Sequence, residues 1–409
     1  MKNLSAAQAG ALRALRRLTV RAPRPCACDA AGAPTPETAH ALQAAMDKTL
    51  ARHRAVGAVI ALVRGGVPWA VLSYGNARMR PDVPARPDTL FRVASVSKLA
   101  FTFGILRLAE EGVLALDADI GDTLGWPVRN PAFPDVPVTL RQLLTHTAGL
   151  RDAPQYDHAG IAGGMGLREM LFPPNSTVNF APVRPGAVFS YSNFGAGIVG
   201  SLAEAATGER FDDLMQRLLF APLGMTASFA PQHLLPQADR LAVGYRVRRL
   251  RAPVTAYDAP ALAAAPRAPR DPDRDFMIAP GRLQMTVPDM ARLARLLLSD
   301  GAVDGVRILQ PASMAAMRAR QSAVGSVGGD AGRGLNVALC PRVLGPALAI
   351  GHQGVAYGMH SALWADPATG DAVALAVNGA WLDAVGRQVH CGWALASLGF
   401  EALRASRLP

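Results

Sequence analysis

A hydroxyl and a primary amine lie three residues apart in the sequence FRVASVSK at residues 91–98, as Ser95 and Lys98. Residues with this spacing share one face of a helix, so both groups would point the same way if a helix begins at Ser95. The Ser95 N–H would then be among the first-turn amides that have no partner within the helix. One helical turn would therefore hold a nucleophile, a base and a backbone donor for an oxyanion.

The residues that follow predict that this helix is buried. Apolar side chains dominate from Leu99 to Leu108, and Gly112 provides a helix end. Burial disfavours the charged form of the Lys98 amine, and an uncharged amine can take the Ser95 proton. Of the 42 lysine and arginine residues 39 are arginine, so a lysine here indicates a position at which arginine, which keeps its proton, would not serve. Taken alone, the Ser-Lys spacing is a weak signal, because it also arises by chance.

A second set of polar residues is the sequence SYSN at 190–193, which enters a predicted helix through Ser192 or Asn193. Tyr191 offers a phenol that becomes a base if a lysine and a histidine lie beside it. Asn193 offers an amide that can hold both a lysine and a substrate carbonyl. Without further motifs, these residues would equally describe a capped helix with a packed tyrosine.

A third set lies on a predicted strand near the other end of the chain, as His352, Gln353 and Gly354. The glycine lets a substrate backbone approach, which leaves the Val355 N–H as a second oxyanion donor. His352 is a candidate for substrate binding, with a buried structural histidine as the alternative. For His146, between two threonines at a helix end, anchoring of a loop by hydrogen bonds is favoured over catalysis.

In chain order, Ser-x-x-Lys, Tyr-Ser-Asn and His-x-Gly resemble the motifs of the serine hydrolases related to penicillin-binding proteins and class C β-lactamases, including their esterase and D-amino-acid peptidase branches. The sequences LLTHTAGL at 143–150 and PLGM at 222–225 also resemble this family, over residues 36–404 in all. The resemblance implies a β-lactamase/transpeptidase-like fold and a metal-free, cofactor-free hydrolase.

The resemblance also implies a role for each motif residue. Ser95 would be acylated, Lys98 and Tyr191 would share proton transfer, and Asn193 would position the substrate. His352 departs from the pattern, because the family often has lysine there and that lysine helps to bind substrate carboxylates. A largely neutral imidazole binds a carboxylate less well at pH 7.

These motifs predict a serine hydrolase that cleaves a carboxylic ester or a small amide through an acyl-enzyme. A D-alanyl or D-amino-acid peptidase and a weak β-lactamase are the alternatives, so the expected partner is a small ester, amide or β-lactam substrate. An alternative from another class is a catalytically silent sensor or scaffold on the same fold, although the intact proton-transfer groups speak against it. No G-x-S-x-G occurs in the sequence, which excludes an α/β-hydrolase triad.

The hydrophobic pattern predicts an α/β (α+β) fold, with an antiparallel sheet flanked by helices. Strands early and late in the chain indicate one sheet built from both chain ends. Helices are expected at about residues 36–54, after Thr286, and at 381–404. The predicted domains are a sheet domain of residues 35–120 with 276–409, an all-helical insertion of residues 121–275, and a disordered or targeting-like tail of residues 1–34.

Composition and charge distribution speak against several classes of function. The net charge is +11, but the arginines collect in the N-terminal tail and at 246–251 with few aromatic residues between them, so nucleic-acid binding is not favoured. Apolar runs stay well short of eighteen residues, so no membrane span is expected. The sequence as written shows no export signal, which predicts a cytoplasmic location. The four cysteines, Cys26, Cys28, Cys340 and Cys391, lack zinc spacing and are expected to be free thiols.

Overall fold

The computed structural model of the chain describes residues 28–30, 32–152, 165–247, 251–253, 259–266, 271, 273, 275–321, 332–340, 346–380 and 389–407. The predicted tail, apart from its last residues, and Cys26 lie outside these ranges. In the described part of the chain, Cys28, Cys340 and Cys391 form no disulfide bond. None of the described helices combines the length and the apolar character needed to cross a membrane.

An eight-stranded antiparallel sheet forms the centre of the fold. In their order across the sheet, its strands are β13 (Gly332–Arg333), β14 (Ala338–Cys340), β15 (Ala349–Ala356), β16 (Met359–Asp366), β17 (Asp371–Asn378), β1 (Gly57–Arg64), β2 (Val67–Met79) and β3 (Asp82–Pro84). Strands β11 (Ala302–Val303) and β12 (Val306–Arg307) form a separate hairpin. Strand β1 from the N-terminal part pairs with β17 from the C-terminal part, so the sheet is built from both chain ends, as the sequence predicted.

Helices cover both faces of this sheet. The helices of the described residues are α1 (Pro36–Arg52), α2 (Val96–Glu110), α3 (Ile120–Leu124), α4 (Leu140–Leu144), α5 (Leu167–Leu171), α6 (Ser176–Asn179), α7 (Asn193–Thr207), α8 (Phe211–Met215), α9 (Ala259–Ala264), α10 (Val287–Leu298), α11 (Pro311–Arg318) and α12 (Val389–Ala405). Helices α1 and α12 pack together over one face, and α10 packs on the other. The last helix was predicted from residue 381, but residues 381–388 lie outside the described ranges.

The segment between the two halves of the sheet is not all helical, so that prediction was wrong. Besides α3 to α9 it contains the short strands β5 (Arg129–Asn130), β6 (Phe133–Pro137), β7 (Ala227–Ser228), β8 (Tyr245–Val247) and β9 (Arg251–Pro253). The sequence WPVRNPAFPDVP at 126–137 explains the β5-β6 hairpin. Its prolines lack an N–H and restrict the residues before them, so this stretch stays extended.

Two-residue strands also tie this segment to the start of α2. Strand β10 (Gln284–Met285) pairs with β4 (Phe91–Arg92) on one side and with β7 on the other. Helix α2 itself runs through the interior, and 12 of its 15 residues are buried. It ends where expected, since Gly112 follows with φ +72°. The sequence prediction of a buried helix that begins at Ser95 is therefore confirmed.

Candidate active site

Ser95 and Lys98 face each other across the first turn of α2. Ser95 is the residue that immediately precedes the helix, and Lys98 Nζ lies 3.2 Å from Ser95 Oγ. The Lys98 side chain is fully buried. Among the described residues, the Ser95 N–H has no hydrogen-bond partner, as expected of a first-turn amide. The three groups predicted from the spacing are thus present together.

Two further oxygens hold the Lys98 amine. Lys98 Nζ donates to Asn193 Oδ1 at 2.8 Å and to Pro280 O at 2.7 Å. Both oxygens can only accept, so in the neutral amine they use both N–H groups and leave the lone pair toward Ser95 Oγ. Asn193 was predicted to hold the lysine, whereas Pro280 was missed, because a backbone carbonyl carries no side-chain signal.

Pro280 is held in place by hydrogen bonds between its neighbours and the start of α2. The backbone of Leu283 accepts from Val93 N at 2.9 Å and donates to Ser97 Oγ at 3.3 Å. Arg92 Nε donates to Gly281 O at 2.7 Å. These contacts fix the carbonyl of Pro280 relative to the helix that carries Lys98.

Tyr191 lies over the amine, as the second motif predicted. Its ring centroid is 5.1 Å from Lys98 Nζ, 4.5 Å from the His146 ring and 6.3 Å from the His352 ring. The residues after it begin α7, with Ser192 as the N-cap that accepts from Gly195 N. The structure therefore places the Tyr191 ring close to the amine and to both histidines.

His146 supports this tyrosine and anchors its loop. Its Nδ1 accepts from Ser192 N at 3.3 Å, and its backbone oxygen accepts from Ser190 N at 2.7 Å. Burial, followed by the charges of Lys98 and Arg333, holds the pKa of His146 well below its usual range. A neutral ring that accepts at Nδ1 carries its proton on Nε2. These contacts fit the loop-anchoring interpretation that the sequence favoured.

The third motif brings the edge of β15 against the backbone of Ser95. A methyl carbon at Gly354 would lie 2.4 Å from Val93 O and 2.8 Å from Ser95 N, so glycine is required for this approach. Ser361 Oγ on the neighbouring strand β16 donates to Val93 O at 2.6 Å. Within the described residues, β14 pairs with β15 as far as Gly351, and Val355 lies on the part of β15 beyond that pairing.

His352 is a neutral group in this site. Its Nδ1 contacts Gln353 O at 2.7 Å, and because a carbonyl only accepts, Nδ1 carries the proton. Burial, then the charges of Arg333 and Lys98, lower the pKa of His352 to about 3. Its buried Nε2 has no hydrogen-bond partner among the described residues and can accept a hydrogen bond. The third motif therefore carries an uncharged imidazole at this position, as the sequence predicted.

Asp152, which follows the LLTHTAGL stretch by two residues, was not predicted as part of the site. Its carboxylate contacts the side chain and backbone of the Tyr-Ser-Asn motif, including Asn193 Nδ2 at 2.7 Å. A lone aspartate beside a loop has no distinctive spacing, so the fold alone reveals this contact.

One cluster of potential metal ligands occurs among the described residues, formed by Asp212, Asp213 and His233, with ligand atoms within 4.8 Å of one another. Arg210 Nε lies 3.2 Å from Asp212 Oδ1, and His233 Nε2 lies 3.3 Å from Asp213 Oδ1. Both carboxylates thus already face nitrogen atoms of neighbouring side chains, and we assign the cluster to a polar network of α8 and His233.

Comparisons with known proteins support the family resemblance. Esterase EstB of Burkholderia gladioli is 35% identical over 199 residues, which are 45% of this chain and 49% of the esterase, so the match spans about half the length of that relative. Penicillin-binding protein 4 of Amycolatopsis lactamdurans is 28% identical over 339 residues, which are 82% of this chain and 84% of that protein.

The fold is also similar to that of solved structures. The solved structure of D-amino acid amidase from Ochrobactrum anthropi SV3 complexed with D-phenylalanine matches 90% of this chain and 99% of its own, with a TM-score of 0.69 and 24% identity. The Beta-lactamase family model matches residues 42–386 of the sequence. Since this match covers most of the chain, the family resemblance seen in the motifs is confirmed, and the chain belongs to the Beta-lactamase family.

Proposed function

We propose that this chain is a serine hydrolase that forms an acyl-enzyme on Ser95 and cleaves carboxylic esters or small amides. The observation that carries the proposal is the set of contacts of Lys98 Nζ, at 3.2 Å from Ser95 Oγ, 2.8 Å from Asn193 Oδ1 and 2.7 Å from Pro280 O. Two obligate acceptors orient the amine so that its lone pair meets the nucleophile.

In the acylation step, the Ser95 Oγ–H proton passes to the neutral Lys98 amine while Oγ bonds to the substrate carbonyl carbon. The negative charge that develops on the carbonyl oxygen is stabilised by the Ser95 N–H and by the Val355 N–H. Tyr191, 5.1 Å from Lys98 Nζ by its ring centroid, relays the proton to the leaving alkoxide or amine as the bond to it breaks.

In the deacylation step, a water molecule repeats the reaction with the acyl-enzyme. It loses one proton to the Lys98-Tyr191 pair, and its oxygen bonds to the acyl carbon. The bond to Ser95 Oγ then breaks, and Oγ recovers a proton from the same pair. The cycle ends with a free carboxylic acid and with the enzyme in its starting protonation state.

The neutral His352 supports the choice of esters and small amides. A pKa of about 3 leaves this ring uncharged at pH 7, so it cannot form an ion pair with a substrate carboxylate. Among the proteins that this chain resembles, one is named an esterase, and one that shares the fold is named a D-amino acid amidase. The second candidate, a peptidase for substrates with a free carboxylate, is favoured by the charge of Arg333, which is close enough to His352 to lower its pKa.

A substrate panel tests the proposal. Purified enzyme is assayed with p-nitrophenyl acetate and butyrate, D-phenylalanine amide, a D-alanyl-D-alanine peptide and nitrocefin, with Ser95→Ala as the blank. We expect turnover that depends on Ser95 and is highest with an ester or the amide. A preference for the free-carboxylate peptide would select the second candidate, with Arg333→Gln removing it. A single acylation without turnover of any substrate would refute the hydrolase proposal in favour of a sensor.

A further inference from the structure

The Asn193 amide has two chemically different ends, and the site works only if the correct end faces Lys98. In the structure Oδ1 accepts from Lys98 Nζ at 2.8 Å, while Nδ2 donates to Asp152 Oδ2 at 2.7 Å. The reversed amide would bring the Nδ2 hydrogens against the N–H groups of the lysine. The two ends of the amide have nearly the same shape, so a further contact is needed to fix the orientation of the Asn193 side chain.

Asp152 provides this selection, because four donors converge on its carboxylate. Asp152 Oδ1 accepts from Ser192 Oγ at 3.0 Å and from Phe194 N at 2.9 Å, and Oδ2 accepts from Asn193 N at 3.0 Å and from Asn193 Nδ2. An ionised carboxylate only accepts, so the Asn193 group that faces it must be the NH₂ group. The negative charge at the N-terminus of α7 is also favourable for the helix dipole.

Helix capping alone does not explain these contacts. Helix α7 already has an N-cap in Ser192, whose Oγ accepts from Gly195 N at 2.9 Å. Each oxygen of this carboxylate already accepts two hydrogen bonds, although Asp152 itself is exposed to solvent. The contact that remains to be explained is the one to the Asn193 side chain, which leads directly to Lys98.

We propose that Asp152 is a positioning residue for acylation, which holds the Asn193 amide with its oxygen toward Lys98 and thereby aims the Lys98 lone pair at Ser95. This inference rests on the proposed function, because it assigns Asp152 a role in the same proton transfer. Asp152 does not contact the reacting atoms in this scheme and acts through Asn193.

The sharpest perturbation is Asp152→Asn, which keeps the shape of the side chain but turns one acceptor into a donor. If the new NH₂ group faces Asn193, the Asn193 amide can reverse, and its own NH₂ group then faces Lys98. Both this reversal and the lost negative charge disfavour the ammonium form of Lys98 relative to the free amine. We expect the acylation rate to fall about 10- to 100-fold, because the amine is no longer aimed. We also expect the acid-side midpoint of the pH–rate profile to move to lower pH.

The midpoint reports on several coupled groups. Tyr191 lies over the Lys98 amine, His146 and His352 are both affected by its charge, and Arg333 acts on both histidines. The midpoint therefore belongs to the cluster, and only its change between variants is interpreted. A loss of folding alone would lower the active fraction without moving the midpoint.

The experiment measures labelling of Ser95 by a fluorophosphonate from pH 5 to 9 in the parent, Asp152→Asn and Asp152→Glu, with thermal unfolding of each protein. The matched control is Asp289→Asn, which alters another carboxylate with comparable contacts. Asp289 accepts from the N-cap hydroxyl of Thr286 at 2.8 Å and from the backbone N–H of Thr226 at 3.0 Å. We expect the rate loss and the downward midpoint shift in Asp152→Asn, partial rescue of both by Asp152→Glu, and a parental midpoint in the control.

The outcomes separate the two proposals. A parent that does not label at Ser95 would refute the proposed function. A parent that labels, with an Asp152→Asn variant that is folded and keeps the parental rate or the parental midpoint, would overturn the positioning role while leaving the proposed function intact. An equal midpoint shift in Asp289→Asn would also overturn it, because the effect would then follow from any lost charge.

Discussion

Replacing Gly354 by alanine tests whether β15 completes the active site. The added methyl carbon would lie 2.4 Å from Val93 O, 2.7 Å from Ser361 Oγ and 2.8 Å from Ser95 N. Ordinary contacts begin at 3.4 Å, so the strand edge or the start of α2 must move apart. Two of the three atoms belong to the backbone and cannot rotate away, so the strain is not relieved by a side-chain change.

The expected loss follows from this displacement. A movement of about 1 Å between β15 and Ser95 separates the Ser95 N–H from the Val355 N–H, and a misplacement of that size can cost on the order of 10²-fold in rate. Removal of one oxyanion donor typically costs ~10² to 10³-fold, or about 2.7 to 4 kcal/mol of transition-state stabilisation. We therefore expect Gly354→Ala to acylate about 10²- to 10³-fold more slowly than the parent.

The matched control is Gly281→Ala, since Gly281 also faces this segment but at ordinary contact distance. A methyl carbon there would lie 3.5 Å from the carbonyl carbon of Ala94, which is an ordinary contact. The assay is burst-phase release of p-nitrophenol from p-nitrophenyl butyrate, with circular dichroism to verify folding. A folded Gly354→Ala protein that acylates as fast as Gly281→Ala would refute the assignment of β15 to the oxyanion site.

Two further predictions concern ionisable groups. Arginine always carries its proton and cannot act as a neutral base, so Lys98→Arg should lower the acylation rate by ~10²-fold or more while the protein still folds. Near-parental acylation of this variant would show that another group takes the Ser95 proton. His146, His352 and His360 are buried, with the pKa of His360 lowered to about 4 by burial and by His53, and that of His352 to about 3. Below about pH 6.5 these histidines bind protons in the unfolded chain but stay neutral in the folded protein. The free energy of unfolding therefore decreases as pH falls from 6.5 toward the pKa values of the folded protein, by up to about 1.4 kcal/mol per pH unit for each histidine. Urea unfolding at pH 7.5 and 5.5 should show this loss, and His360→Leu should reduce it by about one proton; an unchanged pH dependence would mean that His360 is not neutral in the fold.

Ser95, Lys98 and Tyr191, to which we assign the chemistry, could be singled out because their side chains are specific and the Ser-Lys spacing reports local structure. Ser95 and Lys98 share a helical face by spacing alone, and the apolar run after them indicates burial. Gly354 was predicted to let a substrate backbone approach, whereas the close approach that the structure shows at this glycine is to the backbone of Val93 and Ser95. Strand periodicity likewise predicted that both chain ends contribute to one sheet.

Other parts of the site could not be read from the sequence. The Pro280 carbonyl reaches Lys98 through tertiary folding across 182 residues, and backbone groups have no sequence signature. Asp152 is one acidic residue among 31, and its contacts depend on how two loops meet. The short strands of the intervening segment were missed because two- and three-residue strands are too short to show an alternating pattern.

The most direct test of the account is the identity of the acylated residue. The protein is incubated with a fluorophosphonate, its intact mass is measured, and the modified peptide is sequenced by tandem mass spectrometry, in the parent, in Ser95→Ala and in Ser299→Ala as a control from the end of α10. We predict one added label in the parent and in Ser299→Ala, located on Ser95, and none in Ser95→Ala. Stoichiometric labelling of Ser95→Ala, or a label on any other residue of the parent, would contradict the account.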